Sequence, residues 1–294
     1  MITGKAAERL GGTVSWTEHT VVRDGVRLVC RDGGGPGRPV VLLHGLAGHA
    51  GEWDALAELL APGHRVVAVD QRGHGASERR PDDVSRAAYV ADVVAVVRGL
   101  GLERPVLVGQ SLGGHTALLT AAAHPGLPGA LVLVEAGSGG PNPGVAEEIG
   151  GWLDAWPVPF ASRAAASAFF GGGPGGAGWA AGLVERDGGW WPRFDRDVMV
   201  GSLAENARRS FHGEWDRVTC PTLLVLGRKS FVPADEVDEM LRRRPGTLAV
   251  SVPGTGHDLH LERPDALYGA LSAFLDGLGR PGSSGGPQSA MSTP

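Results

Sequence analysis

The run Gly109-Gln110-Ser111-Leu112-Gly113 constrains this chain more than any other stretch of it. A short apolar segment, Val106 to Val108, leads in, and a small-residue helix pattern, Thr116 to Ala123, leads out. G-x-S-x-G between a strand and a helix predicts a turn so sharp that its central residue takes a strained backbone. Glycines at 109 and 113 remove the β-carbons that would collide there. The serine hydroxyl is then held above a sheet edge at a helix N-terminus, which favours developing negative charge. In a chain with 48 glycines the pentapeptide alone also fits an ordinary glycine-lined turn, so its surroundings decide.

Two further constellations narrow the choice. Upstream, Val40-Val41-Leu42-Leu43 has a buried-strand pattern and runs into His44-Gly45-Leu46-Ala47-Gly48, with Trp53 beyond. Acyl transfer needs backbone N–H donors aimed at the carbonyl oxygen as it becomes an oxyanion. The N–H groups of Leu46 and of Leu112, the residue after the serine, are the expected pair. His44 is read as a structural imidazole that ties loops together. Downstream, the strand pattern 248–252 is followed by Pro253-Gly254-Thr255-Gly256-His257. His257 follows Ser111 in chain order and sits on a loop able to reach it, as a general base must. His49, His74, His115, His124 and His260 read as loop, surface or cap-contact residues.

With these residues in view, the chain resembles the α/β-hydrolase superfamily, in its lid-bearing, serine esterase-like branch. The likeness runs from about Thr20 to about Leu278. It rests on the His44–Gly48 loop with Trp53, on Asp70-Gln71-Arg72-Gly73-His74-Gly75-Ala76-Ser77, on the Ser111 nucleophile elbow and on Gly256-His257. It implies a catalytic triad and an oxyanion hole but no particular substrate, because one fold hosts many functions. The chain departs from the family at the triad acid, which usually follows the strand Thr222–Gly227 by three residues. Here that position is Ser230, followed by Phe231. Glu135, at the end of the earlier strand Leu131–Val134, is the best substitute partner for His257. Ser230 and Asp235 remain alternatives. Asp235 and Glu236 stand at a helix start, where acids favour the dipole, and Asp258 adjoins His257 too closely to bond its ring.

Strand patterns at 39–44, 65–69, 105–109, 130–135, 222–227 and 247–252 alternate with helical ones near 52–61, 84–99, 112–124, 234–244 and 263–277. Such alternation predicts an α/β fold, a mostly parallel central sheet with helices on both faces. The segment from Thr13 to Arg31, split by Asp24-Gly25, predicts an edge hairpin. The interval between Glu135 and Thr222 is far too long for an ordinary connection. It predicts an inserted helical lid over 139–216, with the core formed by 1–138 and 217–279 and a disordered Pro/Gly/Ser tail over 280–294. Most of the tryptophans fall in the lid, and Trp179, Trp190 and Trp191, together with Phe231, are the expected substrate-binding residues.

Composition excludes several classes. The net charge is −5 without a basic cluster, which argues against nucleic-acid and membrane-surface partners. Arg79-Arg80 and Arg242-Arg243-Arg244 read as solvated faces. Cys30 and Cys220 make neither a disulfide framework nor a metal site, and both read as buried thiols. No signal peptide or membrane-spanning run is present, so a cytoplasmic enzyme is expected. The leading expectation is a cofactor-free serine hydrolase cleaving a carboxylic ester, lactone or thioester through a Ser111 acyl-enzyme. Its partner is then a small-molecule ester or acyl substrate, and the oligomeric state stays open. Two other readings stand beside it: an acyltransferase or lyase/cyclase using the same Ser-His pair, and a small-molecule receptor on the same fold.

Overall fold

The computed structural model describes residues 14–278. The expected disordered tail lies outside them, as do Met1 to Thr13. Ten strands occur among the described residues. They are β1 (Thr17–Arg23), β2 (Val26–Asp32), β3 (Pro39–Leu43), β4 (Arg65–Asp70), β5 (Val106–Gln110), β6 (Ala130–Val134), β7 (Val184–Arg186), β8 (Gly189–Trp191), β9 (Thr222–Gly227) and β10 (Leu248–Val252). The helices are α1 (Asp54–Leu60), α2 (Arg86–Gly99), α3 (Leu112–Ala123), α4 (Val145–Asp154), α5 (Arg163–Phe169), α6 (Gly173–Ala181), α7 (Arg196–Ser202), α8 (His212–Arg217), α9 (Ala234–Arg243), α10 (Leu259–Glu262) and α11 (Pro264–Gly277).

Eight strands form one sheet in the order β1-β2-β4-β3-β5-β6-β9-β10. The β1–β2 and β2–β4 pairs are antiparallel, and every later pair is parallel. The edge hairpin turns at Asp24 and Gly25, both at positive φ, as a tight turn matched to strand twist requires. The apolar runs of β3 to β6 explain the burial of both sheet faces, because side chains alternate along a strand. Val41, Leu43, Leu107, Leu131 and Leu133 enter a core shared with α2 and α3. Val40, Leu42, Val106, Val108 and Val132 enter the opposite core, shared with α1 and α11.

From β3 the chain passes to β4 on one side, then returns to place β5 on the other. The carboxyl ends of β3 and β5 therefore flank a topological switch point, where open α/β sheets bind ligands. The interval from β6 to β9 contains α4 to α8 and the antiparallel β7–β8 hairpin. Its rings gather around Trp156, which meets Phe170 at 4.7 Å and Trp152 at 5.2 Å between centroids. Phe211 and Trp215, in the last part of this interval, instead pack into the core beside α3.

The arginine pair at 79 and 80 is solvated at Arg80, and both members also bond to acids. Arg79 donates to Asp195 at 2.8 Å and Arg80 donates to Asp197 at 2.6 Å, joining the loop after β4 to α7 and the residue before it. Arg243 likewise pairs with Asp216 at 2.9 Å. Both cysteines are buried and free, and burial pushes the Cys30 thiol up to about 12. No helix among the described residues is long and apolar enough to cross a membrane.

Candidate active site

Ser111 sits between β5 and α3 with φ 49° and ψ −117°. Its amide donates to the Val134 carbonyl at 3.0 Å, which pins the turn to β6. A β-carbon on Gly109 would strike the Gly113 carbonyl, and one on Gly113 would strike the carbonyls of Leu43 and His44. Helix α3 thus lies directly against the end of β3, and only glycine fits at the contact. A serine before a helix normally caps it by accepting from an N–H of the first turn. Ser111 makes no such bond, so its hydroxyl is not consumed in holding the helix.

The loop after β3 is braced from below by Asp70 to His74. Asp70 accepts from the amides of Ala50 at 2.7 Å and Ala76 at 2.8 Å. His74 Nε2 accepts from the Ala47 amide at 3.1 Å, and His44 Nε2 accepts from the Gln71 amide at 3.0 Å. The two imidazoles therefore order loops, with Leu46 left facing the cavity above Ser111. The Leu112 amide lies in the first turn of α3, whose N–H groups point outward without intrahelical partners.

Glu135 follows β6 at φ 48° and is 1% exposed. Its Oε1 accepts from the Gly227 amide at 2.6 Å and its Oε2 from the Phe231 amide at 2.8 Å. His257 Nδ1 lies 3.5 Å from the same Oε2. Burial pushes the Glu135 pKa up, but His257, the two amides and Ser230 outweigh it and hold the group below the usual carboxylate range. At 3.5 Å the imidazole contact is too long for a formed hydrogen bond, a length common in unliganded sites.

On its other side, His257 Nε2 lies 3.2 Å from Gln110 Nε2, and Gln110 donates to the His257 carbonyl at 3.0 Å. The tautomer that lets Nε2 accept from this amide carries its ring proton on Nδ1, facing Glu135. Of the alternatives for the acid, Ser230 Oγ accepts from the Val232 amide at 3.0 Å. Asp235 and Glu236 stand in the first turn of α9, and Glu236 accepts from the Gly139 amide at 2.7 Å.

Ser111, His257 and Glu135 line one cavity of about 1160 Å³. Trp179 and Phe231 are on its wall, but Trp190 and Trp191 are not. Both belong to β8, where Trp190 pairs with the Phe160 backbone and lies 4.4 Å beneath the Arg163 guanidinium. Trp191 donates to the Arg186 carbonyl within the same hairpin. Sequence reasoning missed Trp152, Phe169 and Phe170, which supply the wall instead. It also missed that Asp258 accepts from Trp179 Nε1 at 2.8 Å, fastening the His257 loop to α6. No signal in the sequence marks these contacts, because they depend on how the inserted segment is seated. Among the described residues, no group of three or more His, Cys, Asp or Glu is placed to hold a metal ion.

Four of the histidines read as loop, surface or cap-contact residues, His49, His74, His115 and His260, are buried. His260 contacts Glu52 at 3.4 Å, and His115 faces the cavity from α3 with its ring edge-on to Phe211 at 4.3 Å. Burial, with the Arg86 and Arg209 charges, lowers the His115 pKa from 6.5 to about 3, and burial does the same at His74. Unfolded, these rings bind protons near pH 6.5, whereas folded they do so only near pH 3. Folding stability therefore falls as the pH drops from about 6.5 towards 3. At pH 5, His115→Gln is expected to lower the proton uptake on unfolding by about one proton. Calorimetric unfolding in buffers of different ionisation heat measures this. Unchanged uptake would mean that His115 is already charged in the folded chain.

The comparisons with known proteins bear on the family and the fold. The sequence profile described as the alpha/beta hydrolase family matches residues 40–270. This chain belongs to that family. The sn-1-specific diacylglycerol lipase ABHD11 of Mus musculus is 32% identical over 253 residues, spanning 80% of each chain. The 2-(acetamidomethylene)succinate hydrolase of Mesorhizobium japonicum is 27% identical over 254 residues, covering 82% of this chain and 89% of its own. Among solved structures, an E-2-(acetamidomethylene)succinate hydrolase superposes with a TM-score of 0.80 at 25% identity, covering 89% of this chain and all of that one. These relatives are hydrolases.

Proposed function

We propose that this alpha/beta hydrolase cleaves a carboxylic ester through an acyl-enzyme on Ser111. The observation that carries the reading is an uncapped serine hydroxyl at φ 49°, on the floor of the cavity that also holds His257 and Glu135. Ser111 Oγ attacks the ester carbonyl, and its proton passes to His257 Nε2. The N–H groups of Leu46 and Leu112 hold the oxyanion. As the carbonyl re-forms, the ester bond breaks and the alcohol leaves with the proton from His257. Water then attacks the acyl-enzyme, gives a proton to His257, and releases the acid and the regenerated serine. Glu135 keeps the His257 proton on Nδ1 and stabilises the imidazolium in both halves. Trp179 and Phe231 contact the substrate, and the inserted segment over 139–216 acts as the lid. The mouse relative, named as a lipase, supports ester chemistry in this family.

A fluorophosphonate probe tests the nucleophile, and p-nitrophenyl esters from acetate to octanoate test the reaction. One adduct is expected, mapped to Ser111 by peptide mass, together with steady p-nitrophenol release. Labelling elsewhere, or none, would remove Ser111 from the chemistry. A burst of p-nitrophenol without turnover would make an acceptor other than water the natural one, as in acyl transfer.

A further inference from the structure

The Ser111 cavity is unbalanced in charge. Among the described residues that line it are six carboxylates, Glu52, Glu135, Asp235, Glu236, Glu239 and Asp258, and no lysine or arginine. Several of these acids have partners: Glu135 has two amides, Asp258 has Trp179, and Glu239 has Arg242 and Arg243. Glu236 accepts from the Gly139 amide at 2.7 Å, and it stands with Asp235 beside Phe231 and Val232 at the start of α9. Burial, with the Asp235 charge adding to it, pushes the Glu236 carboxyl above its usual range, against the pull of the Gly139 amide and His212. The neighbouring cations, Arg209 and Arg86, do not line the cavity. Arg209 pairs with Glu205 and Glu214, and buried Arg86 stacks on Tyr89 at 3.9 Å. His115, which does face the cavity, is kept neutral by burial, with the Arg86 and Arg209 charges adding to it.

Much of the rest of the wall is apolar. Trp152, Phe169 and Phe231 are 38%, 43% and 64% exposed, and all three lie on this cavity. Exposed rings gathered at one opening mark a contact surface for an apolar ligand. A substrate carboxylate entering here would lose its water, find no cation, and face carboxylates of like charge.

We infer that the ester taken by this cavity is apolar and bears no carboxylate. The inference rests on the ester-cleaving reading of Ser111 and names the substrate class within it.

Three p-nitrophenyl esters of one chain length test it: the hexanoate, its analogue ending in a carboxylate, and its analogue ending in a trimethylammonium group. The carboxylate ester is expected to have a kcat/KM about 100-fold or more below the hexanoate, and to fall below the ammonium ester as well. Asp235→Asn with Glu236→Gln is expected to narrow the hexanoate-to-carboxylate ratio about tenfold. Calorimetric titration of the same esters into Ser111→Ala reads the order of binding without cleavage. A carboxylate ester that matches the hexanoate in turnover or in binding overturns the inference, and so does a lack of binding by all three. If none is hydrolysed by the wild-type protein while the binding order holds, the ester-cleaving reading fails and the exclusion of carboxylates stands.

Discussion

Ser111→Ala is expected to lower kcat for p-nitrophenyl ester hydrolysis by roughly 10⁶-fold and to leave the melting temperature almost unchanged. The two halves of this expectation come from the same turn. Loss of a serine nucleophile removes the acyl-enzyme path altogether, and what remains is catalysis by the oxyanion donors and binding. The stability half is less usual. An N-cap serine replaced by alanine ordinarily costs about 1 kcal/mol, because an orphan N–H of the first turn loses its acceptor. Ser111 precedes α3 but makes no capping bond, so alanine removes nothing from the helix. Alanine also carries the same β-carbon, so the strain at φ 49° is neither added nor relieved. Steady-state kinetics beside a thermal melt read both halves. A fall in stability of the size of a lost cap, with activity retained, would make the hydroxyl a structural group and end the proposed chemistry.

Much of this arrangement was legible in the chain because it follows from local rules. The runs at β3, β5, β6 and β9 are apolar without alternation, and only strands buried on both faces need that pattern. Gly109 and Gly113 announce a contact too close for a β-carbon, and it is found against the carbonyls of β3 and α3. The eligible position of Glu135 could be read from the strand it ends, once Ser230 stood where an acid is usual. The inserted segment between β6 and β9 was legible only as an interval. Trp179, Trp190 and Trp191 are alike as sequence, yet Trp179 lines the cavity while the other two close a hairpin on Phe160 and Arg186. Side-chain direction there is set by the packing of α4 to α7 around Trp156, a long-range outcome that no periodicity encodes. His115 escaped for a related reason. A polar residue in the first turn of a helix looks exposed, but every face of α3 is covered, by the sheet, α2 or α8.

Glu135→Gln is expected to lower kcat by about 10⁴-fold, with KM little changed, and to destabilise the fold. The carboxylate accepts at both oxygens, from the amides of Gly227 and Phe231. An amide side chain has one oxygen, so one of these donors would face an NH₂ group, leaving a buried N–H without an acceptor at a cost of about 1–3 kcal/mol. The kinetic loss has a separate cause. With a carboxylate 3.5 Å from Nδ1 and Gln110 donating towards Nε2, the favoured tautomer carries its proton on Nδ1 and leaves Nε2 an acceptor, which the serine must take over from Gln110 in the proposed reaction. A glutamine NH₂ facing Nδ1 favours the opposite tautomer, whose Nε2 cannot act as a base. The two losses can be separated by Ser230→Ala, which removes the acceptor for the Val232 amide and one of several groups that hold the Glu135 pKa down, and should leave kcat within about threefold of wild type. The pH profile discriminates further. Because the Glu135 pKa lies below the usual carboxylate range, wild-type activity should not depend on its titration until the pH falls below that range. A Glu135→Gln protein that keeps wild-type kcat, alongside a Ser230→Ala protein that loses it, would move the support of His257 from the end of β6 to the loop after β9.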